Sequence, residues 1–414
     1  MPSFLGRTWL PLGLALAIGG LAGGSGPILA LGVFLLLLGS LARMWSDRSL
    51  SRVELERSLP ERRAFPGERL RLTYRLTNGK MIPLPWLEVS DRLPESLSPP
   101  ELHLPPSSAP KAKVYAHTTR LGWYQRTSWS LELPCSERGY YRLGPARLRS
   151  GDGFGLFSSE RQEEATARVV VYPRTLPLTD LGLAAARPLG ERKGYQRIFE
   201  DPLRIAGVRD YRPGDPVRRI HWKATARRGQ LQSRVYEPSA TQHLIVALNI
   251  DTLEHPWQGY IPWLLEAGIV VAASVARWAY EARYAVGLLA NGSLPDSDQP
   301  LKIAPGRAPD QLPRILEALG GVGPMTMMSL PALLERESHS LPLGATLAAV
   351  TALMPEALAA ALRRLHDCGH QVTVLALVDD DWSELLGRVP VERVNQLAFA
   401  SEQLPAAPTR SFPS

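Results

Sequence analysis

The sequence predicts a membrane-anchored, multidomain protein: a transmembrane helical hairpin, then an all-β sandwich, then a Rossmann-like α/β domain. Three observations predict it. Two apolar runs at the N-terminus carry a single charge, Arg43, between Thr8 and Trp45. A stretch of alternating apolar and polar residues, punctuated by proline, comes next. From about residue 243 apolar strand-like runs alternate with helical ones. At 414 residues the chain is long enough for two or three domains that each bury a core. The expected boundaries are 1–48 for the hairpin, 49–175 for the sandwich, 176–242 for an arginine-rich joint, 243–402 for the α/β domain and 403–414 for a disordered tail.

The hairpin rests on solvent physics. The runs Trp9–Leu21 and Ile28–Ala42 flank Ala22-Gly23-Gly24-Ser25-Gly26-Pro27, a stretch suited to a tight turn. Each run with its flanks spans about 25 Å as helix, at the short end for a hydrocarbon core of about 30 Å. A signal peptide would leave the second run without a purpose, and a buried soluble hairpin would carry a polar face. Arg7 flanks one end and Arg43, Arg48 and Arg52 the other, while the turn is uncharged. The positive-inside rule then expects two transmembrane helices in the plasma (inner) membrane, with both ends and all that follows in the cytoplasm.

Within the sandwich, Leu70, Leu72, Tyr74 and Leu76 alternate with polar residues, as a strand with one buried face requires. Asn78-Gly79 follows, a dipeptide that tolerates the positive φ of a tight turn. Further strands are expected at Val53–Arg57, Trp86–Ser90, Lys113–Thr119, Ser128–Leu133 and Arg168–Tyr172. In the α/β domain, strands are expected at His243–Ile250, Tyr284–Ala290, Gly344–Ala352 and Gln371–Val378. Helices are expected at Gly259–Arg283, Ala308–Leu319 and Pro355–Asp367, the last with Gly369 just past its end.

The joint carries the run Arg209-Asp210-Tyr211-Arg212-Pro213-Gly214-Asp215-Pro216-Val217-Arg218-Arg219-Ile220-His221-Trp222-Lys223-Ala224-Thr225-Ala226-Arg227. Pro213-Gly214 sets a turn. Asp215 is placed to cap a helix that puts Val217, Ile220 and Ala224 on one face and ends at Gly229. This run resembles the signature of the family catalogued as domain of unknown function fifty-eight. The stretches Arg138-Gly139-Tyr140-Tyr141-Arg142-Leu143-Gly144-Pro145 and Asp152-Gly153-Phe154-Gly155-Leu156-Phe157 look like the pattern that precedes it. The resemblance implies a bacterial membrane-anchored protein whose α/β domain is von Willebrand A-like, often associated with MoxR-type AAA+ ATPases.

The candidate partner-binding or structural residues are Tyr211, Pro213, Gly214, Asp215, Arg218, Arg219, His221, Trp222, Lys223 and Arg227. Their guanidinium groups suit acidic side chains or phosphate. The plainer alternative pairs Asp210 and Asp215 with these cations and packs Trp222 into the joint. His221 lacks a spaced nucleophile. Metal-binding von Willebrand A domains end their first strand in Asp-x-Ser-x-Ser, whereas the run here is Asp251-Thr252-Leu253-Glu254-His255. The usual cation site therefore reads as lost, and no metal or cofactor is expected. Asp251, Asp379 and Asp381, all following strands, form a residual alternative. The spacing of His366, Cys368 and His370 across a helix end does not favour a metal.

Two cysteines give no disulfide framework, and the net charge of +7 suits several kinds of acidic partner. The expected function is a non-catalytic scaffold or adaptor that binds a cytoplasmic protein, with a MoxR-type AAA+ ATPase as the implied partner. The alternatives are anionic lipid or, less favoured, nucleic acid bound through the arginine-rich joint, and an enzyme using the acidic sheet edge.

Overall fold

The structure, a computed structural model, describes residues 4–183, 200–212, 220–238, 242–295 and 297–400. It divides into two compact units, residues 1–174 and 175–414.

The first unit opens with α1 (Phe4–Ala22) and α2 (Gly26–Ser49), joined by a turn in which Gly24 has φ +63°. Glycines let the helices approach closely: a Cβ on Gly32 would fall 2.8 Å from Ala17 Cα. By length and composition α2 is able to cross a membrane, whereas the apolar stretch Thr8–Ala22 of α1 is shorter. Ten strands follow: β1 (Val53–Ser58), β2 (Arg63–Ala64), β3 (Arg69–Asn78), β4 (Leu84–Pro94), β5 (Ala112–Leu121), β6 (Arg126–Pro134), β7 (Gly139–Leu143), β8 (Ala146–Gly151), β9 (Ser158–Glu163) and β10 (Ala167–Val171). They form sheets of order β1-β3-β6, β5-β4-β8-β9 and β2-β10-β7. The inward faces of β3 (Leu70, Leu72, Tyr74, Leu76) and β4 (Leu87, Val89, Leu93) are buried in the core between them.

Asn78-Gly79 departs from expectation. Neither residue has a positive φ, and β3 and β4 lie in different sheets rather than in one hairpin. The Asn78 amide is committed elsewhere, donating to Ile82 O at 3.0 Å and Gly122 O at 2.8 Å. Those bonds tie two loops together, which a local turn preference does not anticipate.

The second unit begins with the chain before residue 184 packed on its own α/β domain. Leu176 N donates to Ser274 Oγ at 2.9 Å, and Leu181 and Leu183 are buried. Next come β11 (Glu200–Asp210), α3 (Trp222–Arg228) and β12 (Gln232–Pro238), with the two strands paired antiparallel. The α/β domain comprises β13 (His243–Leu248), α4 (Pro262–Glu281), β14 (Ala285–Ala290), β15 (Leu301–Gly306), α5 (Gln311–Gly321), α6 (Leu330–Glu337), β16 (Thr346–Thr351), α7 (Glu356–Asp367), β17 (Gln371–Ala376), α8 (Ser383–Leu386), β18 (Val391–Arg393) and α9 (Leu397–Ala400). Its sheet has the order β15-β14-β13-β16-β17-β18, parallel except for the edge strand β15. In β13, Ile245 and Ala247 face the side chains of α6 and α7, and α4 packs against β13, β14 and β16. This is the doubly wound order in which the direction of winding reverses between β13 and β16. The expected tail 403–414 lies outside the described residues.

Candidate functional site

The family-like run lies between the paired strands β11 and β12, and its described end leads into the short helix α3. Asp210 and Gln232 face each other in register, and Tyr211 N donates to Leu231 O at 2.9 Å. Ile220 is buried in a bridge to Ser233, and His221 N donates to Gln232 O at 2.8 Å. Ile220 and His221 are not helical, so the expected helix is not continuous through Ile220 to Gly229. Helix α3 instead starts at Trp222 and is capped by His221, whose Nδ1 accepts from Ala224 N at 3.1 Å. It ends as the sequence implied, at Gly229 with φ +69°. Pro213, Gly214, Asp215, Arg218 and Arg219 lie outside the described residues.

Two features of this module bear on binding. Asp210 is held by an amide: Gln232 Nε2 donates to its Oδ1 at 2.6 Å, while Thr225 Oγ1 accepts from Gln232 N at 3.0 Å. Trp222 does not pack inward, and 64% of it is exposed. Lys223, Arg227 and Arg228 are exposed beside it on the same seven-residue helix. A large indole left in water amid cations is unusual for a residue that normally buries most of its surface. Trp and Arg are also the residues that most often anchor protein interfaces.

At the carboxyl edge of the α/β sheet the chain builds a closed polar network. Asn291, one residue past β14, donates through Nδ2 to Asp251 Oδ2 at 2.8 Å and Asn249 Oδ1 at 3.1 Å. Its Oδ1 accepts from Ile250 N at 2.7 Å. Asn249 Nδ2 reaches Thr351 Oγ1 at 3.2 Å, spanning the switch point from β13 to β16. The Thr252 hydroxyl accepts from Ile261 N at 2.8 Å. Burial pushes the Asp251 carboxyl up, against the pull of hydrogen bonds from Asn291 and Thr326. The Asn291 amide thus donates an N–H to the Asp251 carboxylate. Asp379 and Asp381 are exposed, and Asp381 is engaged by Ser383 N at 3.0 Å. Among the described residues, no three His, Cys, Asp or Glu side chains gather as a metal site.

The two motifs preceding the signature prove to be architectural. Gly144, with φ +94°, donates to Arg92 O at 3.0 Å, and a Cβ there would fall 2.6 Å from Arg57 Nη1. The glycine makes room for a buried ion pair. Arg57 Nη1 holds Asp91 Oδ1 and Oδ2 at 3.2 and 3.1 Å, and Tyr74 Oη donates to the same carboxylate at 2.9 Å. Burial pushes the Tyr74 hydroxyl far up and the Asp91 carboxyl up, the latter opposed by Arg57. In the second motif the buried Asp152 carboxylate accepts from the amides of Phe154, Leu156 and Phe157 at 2.7, 3.2 and 2.6 Å. It shapes a loop whose tip, Phe154, is exposed. A cleft of about 280 Å³ in the sandwich is lined by Glu88, Arg92, Arg147, Arg149 and Glu160, with Arg147 and Glu160 paired at 3.5 Å.

The fold and module define a doubly wound α/β domain preceded by a ribbon and a basic, tryptophan-bearing helix. Residues 207–398, from β11 into α9, match the family described as "Protein of unknown function DUF58". The "Uncharacterized protein YeaD" of Bacillus subtilis (strain 168) is 27% identical over 205 residues, 47% of this chain and 47% of that relative. The match therefore spans about half the length of the relative. Solved structures give distant likenesses. The CARDB domain of the PF1109 protein of Pyrococcus furiosus, in complex with di-metal ions, is 12% identical, covering 29% of this chain and 91% of that one at a TM-score of 0.21. The Pseudomonas fluorescens alkylpurine DNA glycosylase AlkC, bound to DNA containing an abasic site analog, is 15% identical, covering 35% and 38% at a TM-score of 0.20. Likeness at that level bears on neither fold nor function.

Proposed function

We propose that this protein is a membrane-anchored, non-catalytic scaffold whose α3 surface binds an acidic cytoplasmic protein. In this reading α1 and α2 both span the membrane and the two folded units face the cytoplasm. The α/β domain is a von Willebrand A-like domain whose cation site has given way to the Asp251–Asn291–Asn249 network. The family resemblance makes a MoxR-type AAA+ ATPase the first partner to test. The observation that carries the reading is the exposure of Trp222 between cations in the middle of the family signature. Glycine, cap and ribbon together hold that helix in place, and the indole is left uncovered. The carboxyl-edge network supports binding over catalysis, because its hydrogen-bonding groups are largely engaged with one another.

The test is crosslinked recovery of partners from native membranes, comparing wild type with Trp222→Ala and Lys223→Glu. Losing an anchoring tryptophan at an interface costs about 2 kcal/mol or more, roughly 30-fold in Kd. Both variants are expected to lose the partner while melting like wild type, since both positions are exposed. Equal recovery by all three proteins, or no stable partner for wild type, would overturn the proposal. A recovered complex that dissolves steeply with salt and contains nucleic acid would favour the phosphate-binding alternative instead.

A further inference from the structure

Three loops of the sandwich carry large apolar side chains that the core does not take up. Met81 lies between β3 and β4, Trp123 and Tyr124 between β5 and β6, and Phe154 between β8 and β9. Trp123 is 68% exposed and Phe154 71%. Strand register sets these loops at one end of the unit. Leu84 at the start of β4 pairs with Leu121 at the end of β5, and Leu87 pairs with Ser150, just before the Phe154 loop. Tyr124 N donates to Lys80 O at 3.2 Å, and Trp86 Nε1 donates to Asp152 O at 3.1 Å.

The hairpin leaves from the same end. Lys80 Nζ donates to Ser49 O at 2.6 Å and Ser51 O at 2.8 Å, satisfying carbonyls at the C-terminus of α2. Contacts then climb the helix. Arg161 Nη1 reaches Leu50 O at 2.9 Å and Ser159 Oγ reaches Ser46 O at 2.8 Å. Phe157 meets Trp9 edge-on at 6.0 Å between centroids, and that indole lies over Gly39. The Phe154 loop therefore reaches about 15 Å up α2 from Ser49, at 1.5 Å per residue. At that height Leu37 and Leu41 are exposed on the helix.

We infer that this end of the sandwich is a second, interfacial membrane contact, resting on the reading that the hairpin spans the bilayer. Phe154, with Trp123, Tyr124 and Met81, enters the headgroup layer of the bilayer that holds α1 and α2. The chemistry matches that layer: amphipathic rings favour the boundary between hydrocarbon and water. The Asp152 carboxylate is buried inside its loop and shows the bilayer no charge. Arg43, Arg48 and Arg52 are exposed along the same stretch, with Asp47 the single acid between them, and suit anionic headgroups.

Depth-dependent quenching tests this on the full chain. In a Cys368→Ser background, in which the native Cys135 is buried, one cysteine is introduced at Phe154, Trp123, Leu102 or Leu31 and carries an environment-sensitive fluorophore, one site per protein. Each is placed in phosphatidylcholine–phosphatidylglycerol vesicles containing lipids with a nitroxide near the headgroup. Using separate proteins leaves the other loop intact in each. The Phe154 and Trp123 labels are expected to shift to the blue and lose most of their emission. The label at Leu102, at the far end of β4, keeps its emission. Should the two loop labels behave like Leu102 while Leu31 is quenched, the anchor stands and the interfacial contact is refuted. An unquenched Leu31 label would overturn the spanning hairpin, and the interfacial contact with it.

Discussion

Replacing Arg57 with alanine strips the cation from a carboxylate that water does not reach. Asp91 is 0% exposed and the Arg57 side chain 7%, and the guanidinium holds both carboxylate oxygens. After the substitution the Tyr74 hydroxyl remains as a side-chain partner. Breaking a buried pair from one side costs about 3–5 kcal/mol, because the stranded charge keeps its desolvation penalty. For a unit of this size 1 kcal/mol moves Tm by about 2–4 °C, so its transition should fall by roughly 6–20 °C. The sign with pH follows from the same physics. Without Arg57 the folded pKa of Asp91 rises further above its unfolded value of about 3.9. The variant is least impaired below that value and loses stability as pH rises through the folded pKa. Calorimetry of the full chain in detergent, from acid to neutral pH, measures both effects. Arg57→Ala/Asp91→Asn should melt above Arg57→Ala at neutral pH, since no charge is left to strand. A single variant melting within about 2 °C of wild type at neutral pH would refute the reasoning.

Gly144→Ala should lower the same transition, because the new Cβ must displace the Arg57 guanidinium and sit at a positive φ; thermal melts check it, and an unchanged Tm would sink the idea. Asp251→Asn should flatten a pH dependence. Burial raises the Asp251 pKa, so wild type loses stability as pH climbs from about 3.9 through the folded value. The asparagine variant lacks that decline and is as stable or more so at neutral pH, and parallel curves for the two proteins would contradict the assignment.

The parts of this fold that a sequence shows are those governed by one-dimensional pattern. Leu70, Leu72, Tyr74 and Leu76 announce β3 because one face is buried and the other is not. Cys368-Gly369 announces the end of α7 because Gly369 takes φ +94°. What escapes is set by chain segments meeting from afar. Arg57 and Asp91 sit at inward positions of β1 and β4, but 34 residues separate them and their pairing needs both sheets. Asn249 and Asn291 were visible as polar residues ending apolar strands, and only the adjacency of β13 and β14 brings them to Asp251. Strand β15 escaped because a half-exposed edge containing Pro305 and Gly306 has no clean period. Trp222 reads equally as a packing residue, because tryptophan usually packs. Its exposure depends on α3 starting at His221, which a helix drawn from Asp215 conceals.

The junction between α2 and the sandwich has a mechanical consequence. Only Leu50, Ser51 and Arg52 separate the helix from β1, and Lys80 and Arg161 grip the carbonyls of Ser49, Leu50, Ser51 and Val53. Nothing in that connection works as a swivel. Helix and sandwich form a rigid strut, so a tilt of α2 swings the far end of the sandwich through an arc rather than being absorbed at a hinge. In the proposed membrane-spanning arrangement, a change in bilayer thickness that tips the helix would be read out as displacement some tens of ångströms away, by leverage alone.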